Sequence, residues 1–199
     1  MEKTKANDPM QYHRAFDGMP DGGCIRMASV NAEKHTAEFI IASDSPVRDW
    51  YLPTSLRMTG VSLERYNRNP VVLAQHEHGV LAVVGRSLKV WTEGPLLIAL
   101  AEFDTGDEFA NRCWGKISRG FCRTASVGFS VIEKRDIDVG RTDEETKLTG
   151  PVRIATRWEP YEWSIVAVPA DEKCTGRSLN EKSQHEGTVR FPRLKNRFS

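Results

Sequence analysis

The chain predicts a mainly β, α+β fold: a closed or nearly closed antiparallel β-barrel of about six to seven strands flanked by helices. Short aliphatic runs recur along it, among them TAEFIIAS, VVLAQ, LAVVGRSLKV and LLIALAEF. Turn-forming clusters separate these runs. Helical periodicity is strong in a single stretch, TGDEFANRCWGKISRG.

Residues 1–22 are rich in charge, Met, Pro and Gly, and DGMPDGG reads as a turn cluster, so this segment is expected to be flexible and the domain to span 23–173. CIRMASVN and TAEFIIAS, parted by the polar EKH, predict an antiparallel strand pair. Residues 44–58 carry Pro46 and Pro53 with little periodicity and read as a loop. SLERYNRN predicts one or two helical turns ending at Asn69, because Pro70 disfavours helix in the residue before it. VVLAQ, LAVVGRSLKV and LLIALAEF then read as core strands, with TEGP as the turn between the last two.

In the helical stretch, Thr105 and Glu108 have capping-box spacing, and Lys116 and Arg119 fall in the last turn. Phe109, Cys113 or Trp114, and Ile117 form its apolar face, and Gly120 supplies the stop. FCRTASVGFSVIE alternates: Ala125, Val127, Phe129 and Val131 lie on one face, and Thr124, Ser126, Gly128 and Ser130 on the other. Residues 134–150 are charged and aperiodic and read as an exposed loop. VRIATRW and YEWSIVAVP predict two last strands with a turn at Glu159 and Pro160. Residues 174–199 read as a basic, disordered tail, since Arg177, Lys182, Arg190, Arg193, Lys195 and Arg197 face only Glu181 and Glu186.

A length of 199 residues with 39% hydrophobic content suits one domain with a real core. The net charge of +1 gives no global field toward nucleic acid or an anionic membrane, so neither is expected as a partner. No apolar run reaches the roughly 20 residues of a spanning helix. The polar start MEKTKANDPMQYHR is unlike a signal peptide, and Cys24, Cys113, Cys122 and Cys174 form no C-x-x-C pair; free thiols in a reducing cytoplasm are expected.

Three residues suited to acyl transfer occupy strand-like contexts: His76, Ser126 and Glu162. A serine needs a base to take its proton and a third group to hold that base. Ser126 sits among small polar neighbours that leave room for a peptide, but it lacks a G-x-S-x-G elbow, and a serine on a polar strand face is commonly just solvated. His76 and His78, two apart, could instead share a strand face as zinc ligands. No Cys or His pair elsewhere has matching spacing, so neither metal nor cofactor is expected. The cysteines read as small apolar packing groups, as do Trp91, Trp114, Trp158 and Trp163; Trp50 has no evident place. From pattern alone the chain is a β-rich domain with hydrolase potential.

Four motifs in order, RNPVVLAQHEHG, VVGR, EFDTGDEFANRCWGKISRGFCRTASVGFSV and YEWSIVAVPAD, resemble the prohead protease family of tailed bacteriophages over residues 39–171. In that family N-P-V-x-x-x-x-H-[DE] carries the catalytic histidine, followed by a G-[KR] pair, a serine in S-x-G-[FY], and an acid in E-x-S-[LIV]-V-x-x-P-A. Here these positions are His76 with Glu77, Gly85 with Arg86, Ser126, and Glu162. The resemblance implies a serine endopeptidase with a herpesvirus-assembly-protease-like barrel, made in the host bacterial cytoplasm and packaged in the immature capsid. Its implied partners are the major capsid protein with its scaffolding segment, itself through autoproteolysis, and a second copy in a homodimer. Ser126 would be the nucleophile, His76 the base and Glu162 the orienting acid. The herpesvirus relatives use a histidine in the third role, which makes His78 the alternative there. Glu162 is preferred, because a residue two along the same strand is poorly placed to meet the ring nitrogen of His76. A non-catalytic capsid- or scaffold-associated β domain of the same fold is the competing expectation, and a zinc hydrolase using His76 and His78 a third.

Overall fold

The aliphatic runs assemble into one curled sheet. The computed structural model describes residues 29–48, 52–171 and Cys174; the 1–22 segment, Cys24, Trp50 and the tail beyond Cys174 lie outside the described residues. The strands are β1 (Thr36–Ser43), β2 (Thr54–Leu56), β3 (Val71–Ala74), β4 (Val83–Glu93), β5 (Leu96–Phe103), β6 (Thr124–Ile137) and β7 (Val152–Val166). Two helices, α1 (Glu64–Arg68) and α2 (Glu108–Ser118), complete the regular structure. The fold is mainly β, with strand order β1-β5-β4-β3-β7-β2 and β6 on the other edge of β7. The sheet curls as a half-barrel that brings β1 near β6.

The order is not purely antiparallel, as the sequence suggested. β2 and β3 both run parallel to β7, β2 beside Arg153 to Ala155 and β3 beside Trp163 to Ile165. Between them Val61 bridges Trp158, so residues 54–74 follow β7 as an interrupted strand carrying α1. β2 falls inside the segment read as a loop. Three residues are too few to show alternation, and all of Thr54, Ser55 and Leu56 are buried. Of the first expected strand, the described part meets β1 through the Asn31–Thr36 bridge and through Ser29 Oγ, which accepts from the Glu38 amide at 2.8 Å.

Two further corrections bear on the site. β6 continues through residues 134–137, and the charged connection beyond it is tied down by Asp143, which accepts hydrogen bonds from the Thr146 amide and hydroxyl and pairs with Arg135 at 2.8 Å. The predicted turn at Glu159 and Pro160 does not exist. β7 is one strand, in which Gly128 pairs with Glu162 but Phe129 pairs with Pro160, leaving Tyr161 as the extra residue of a β-bulge. A bulge tolerates a proline that cannot donate to the ladder. It also inverts the strand's parity, so Trp158 and Pro160 before it and Trp163 and Ile165 after it are all buried.

Ala125, Val127 and Phe129 of β6 join Trp158, Trp163, Phe39 and Tyr66 in the core. α2 closes one end: its buried residues are Ala110, Trp114 and Ile117, with Trp114 stacked on Phe103 at 5.3 Å between centroids. Of the expected apolar face, Trp114 and Ile117 are buried and Cys113 packs partly buried against the core, while Phe109 lies off it, because Ala110 carries the seam one position further round. The cap also differs. Asp107 accepts from the Ala110 amide at 2.8 Å, whereas the Thr105 hydroxyl faces the His35 ring. Trp91 is only half-buried, beneath the Lys89 ammonium, rather than in the core.

Under the β3–β7 junction lies a polar chain. The Trp163 indole N–H donates to Ser87 Oγ at 2.8 Å, and the Tyr66 hydroxyl, 2.8 Å from the same oxygen, donates its one proton to the Val71 carbonyl. Burial pushes the Tyr66 hydroxyl up to about 12. Ser43 at the end of β1 donates through both its amide and its hydroxyl to buried Asp171, stapling the segment after β7 to the opposite edge of the sheet.

Candidate active site

β3 is followed by two consecutive residues in the left-handed region, Gln75 (φ 57°) and His76 (φ 59°), so His76 stands in a turn and not on a strand. Backbone of this kind is costly outside glycine and persists where the surroundings impose it. Here the turn is held by β7. The Gln75 amide donates to the Ile165 carbonyl at 2.9 Å and the His76 amide to Ser164 Oγ at 3.0 Å.

The turn brings the His76 ring to Glu162, Nδ1 lying 2.8 Å from Oε1. The other carboxylate oxygen, Oε2, accepts from the Ser164 hydroxyl at 2.8 Å. A closed loop results: His76 amide to Ser164 hydroxyl to Glu162 carboxylate, and back to the His76 ring. Both serine capacities are used, so Ser164 fixes the rotamer of Glu162 and the backbone of His76 together. Glu162 is 3% exposed. An ionised carboxylate only accepts, so Nδ1 carries a proton and, in the neutral ring, Nε2 is left with the lone pair. The pair is therefore a base held in one tautomer.

Register places Ser126 against this pair. Ser126 is the Cα partner of Ser164, and Gly128 the partner of Glu162, so the four share one face of the β6–β7 ladder. That face is opposite the one buried by Val127 and Trp163. The bulge at Tyr161 is what turns Glu162 toward it. The Ser126 side chain is buried, 6% exposed, and its hydroxyl makes no hydrogen bond to a described residue. Ser126 thus lies across the ladder from Ser164, which holds the His76 amide, and is not itself hydrogen-bonded to His76.

Gly128 makes the room. A Cβ there would lie 2.1 Å from Glu162 Oε1 and 2.7 Å from the Tyr161 ring. The carboxylate therefore rests directly on the β6 backbone. Gly128→Ala is expected to drive the carboxylate off His76 and, by overpacking, to cost about 1–3 kcal/mol of stability. Urea unfolding measures the cost, and disappearance of the hydrogen-bonded His76 Nδ1 proton from the low-field NMR spectrum reports the broken pair; an unchanged resonance would refute the steric argument.

The remaining expected residues do not join this hydrogen-bonded loop. The His78 ring meets Tyr161 edge-on at 6.1 Å, and Nδ1 of His76 is occupied by Glu162. Gly85 is needed because the β5 backbone passes within 2.3 Å of where its Cβ would be, and Arg86 pairs with Glu102 on the surface. Among the described residues no group of three or more His, Cys, Asp or Glu gathers as metal ligands would. Burial raises the Cys113 thiol, which keeps it protonated rather than nucleophilic. Sequence reasoning read Gly128 only as room beside Ser126 and Ser164 only as a motif position after Glu162, and gave neither a part in holding the carboxylate. Their signal was spacing: each stands two residues from a named site residue on the same strand.

Compared with protein-family models, curated proteins and solved structures, the chain has no match.

Proposed function

We propose that the chain is a serine endopeptidase of tailed-bacteriophage capsid maturation, with Ser126 as nucleophile, His76 as general base and acid, and Glu162 as the orienting carboxylate. One observation carries the reading: a buried carboxylate locks the His76 tautomer on the sheet face that presents an unbonded serine hydroxyl. The motif order that resembles prohead proteases supplies the substrate class, the scaffolding segment of the major capsid protein and the chain itself. In the same proposal the curled sheet is a nearly closed barrel of the herpesvirus assembly-protease kind, and the enzyme works inside the immature shell, where high local concentration would favour a homodimer.

Ser126 Oγ adds to the scissile carbonyl as its proton passes to His76 Nε2. The imidazolium so formed is stabilised by Glu162, whose hydrogen bond to Nδ1–H becomes charge-assisted. Collapse of the tetrahedral intermediate breaks the C–N bond, the departing amine taking the proton from Nε2. Water then adds to the acyl-serine by the same route, returning Ser126 with its proton and releasing the new carboxylate. Ser164 touches neither peptide nor proton in this sequence and acts by holding the other two.

The test is covalent. A fluorophosphonate probe is expected to add once to the native protein, with tandem mass spectrometry of the tryptic digest placing the adduct on Ser126. An adduct on Ser164, or none from protein that cleaves coat protein, would overturn the assignment.

A further inference from the structure

Beside His76 and Ser126 lies a cavity of about 550 Å³, within the size range of binding pockets. It opens between α2, the segment that follows it and the ends of β3, β6 and β7. Gln75, which precedes His76, and Thr124, two residues before Ser126 on its own strand, both line it. The separation along β6 is about 7 Å, the distance between alternate side chains of an extended peptide. The cavity is thus placed as a side-chain subsite of the site described above.

Its walls are apolar and its rim is basic. Phe109, Phe121, Cys113 and Ile165 contribute the apolar surface, and Phe121 is 81% exposed, an aromatic ring held in water with no core to fill. Lys116 and Arg123 line the same cavity, and the Arg119 guanidinium sits over the Phe121 ring at 5.7 Å. None of these three cations is in an ion pair with a described residue, although Arg112, one turn earlier on α2, pairs with Glu108. Among the described residues no carboxylate lines the cavity. An apolar hollow ringed by unneutralised cations complements a large apolar side chain with a carboxylate next to it.

We infer that this cavity sets cleavage specificity, selecting a substrate segment in which an aromatic or large aliphatic side chain adjoins Asp or Glu near the scissile bond. The inference rests on the endopeptidase reading and deepens it. The off-seam position of Phe109 on α2 acquires a reason: it lines the subsite and not the core.

The full-length protein is incubated with a peptide library made from a bacterial proteome, and cleavage sites are read by mass spectrometry. Wild type is expected to favour Glu or Asp over Lys or Arg by about tenfold at one position within three residues of the cut, beside a position enriched in large apolar residues. Raising the salt from about 0.05 M to about 0.5 M should shrink the acidic preference and leave the apolar one. The charge-reversed variant K116E/R119E/R123E should invert the charged preference. A wild-type profile with no acidic preference, or a preference that salt and charge reversal leave unchanged, overturns the inference while the endopeptidase reading stands. The wild-type profile and its salt dependence do not depend on whether the variant folds. Absence of both cleavage and fluorophosphonate labelling in wild type overturns the endopeptidase reading and this inference with it.

Discussion

Ser126→Ala is expected to lower coat-protein cleavage and self-truncation by about 10⁴-fold or more while leaving the fold as stable as before, or more stable by up to about 1 kcal/mol. The two halves have one cause. The Ser126 hydroxyl is buried and bonds to no described residue, so it is desolvated without return. Removing it relieves that cost and leaves no partner unsatisfied. A serine kept for structure behaves in the opposite way: Ser164 donates to Glu162 and accepts from the His76 amide, and truncating it would strand both. Intact mass and gel analysis of co-expressed coat protein measure the cleavage, and urea unfolding measures the stability. Wild-type cleavage by the alanine variant would exclude Ser126 as nucleophile. A wild-type chain that cleaves nothing would favour the non-catalytic capsid-associated domain.

The parts of the fold legible in the sequence are those whose pattern is local. β1 is TAEFIIAS and β5 is LLIALAEF, each aliphatic and bounded by turn residues, and α2 lies inside the segment with a 3.6-residue repeat. The errors arise where tertiary pairing decides. β2 is a strand because β7 offers it a parallel edge, and its three residues alone carry no period. β7 read as two strands because Pro160 and the change of parity between Trp158 and Trp163 look like an interruption, when a single extra residue, Tyr161, accounts for both. The same bulge bears on the site. Even spacing along one strand would put Glu162 on the face of Trp158, inside the core; the extra residue turns it to the face of Ser126. The residue types at positions 76, 126 and 162 can be read from sequence. Spacing along the chain puts Ser164 and Gly128 on the faces of Glu162 and Ser126, but that one buttresses the carboxylate and the other admits it depends on register across β6 and β7.

Glu162→Gln, nearly isosteric, is expected to lower kcat by about 10³- to 10⁴-fold with little change in KM. The carboxylate accepts twice, from His76 Nδ1–H at one oxygen and from Ser164 Oγ–H at the other, each at 2.8 Å. Glutamine has one accepting oxygen and one donating nitrogen, and Gly128 beneath leaves no slack for another rotamer. If the amide nitrogen faces His76, Nδ1 must accept, the ring proton moves to Nε2, and the base toward Ser126 is lost. If the oxygen faces His76, the tautomer survives, but the imidazolium that develops as Ser126 attacks has no counter-charge in a buried setting. Both orientations slow the chemical step, and neither touches the peptide, which is why KM should hold. Glu162→Asp keeps the charge but withdraws it by one methylene from a position fixed on three sides, so it should recover only part of the rate. Single-turnover cleavage of a saturating peptide separates kcat from binding. A fall smaller than about tenfold for Glu162→Gln would mean that the carboxylate positions the turn after β3 and takes no part in holding the tautomer.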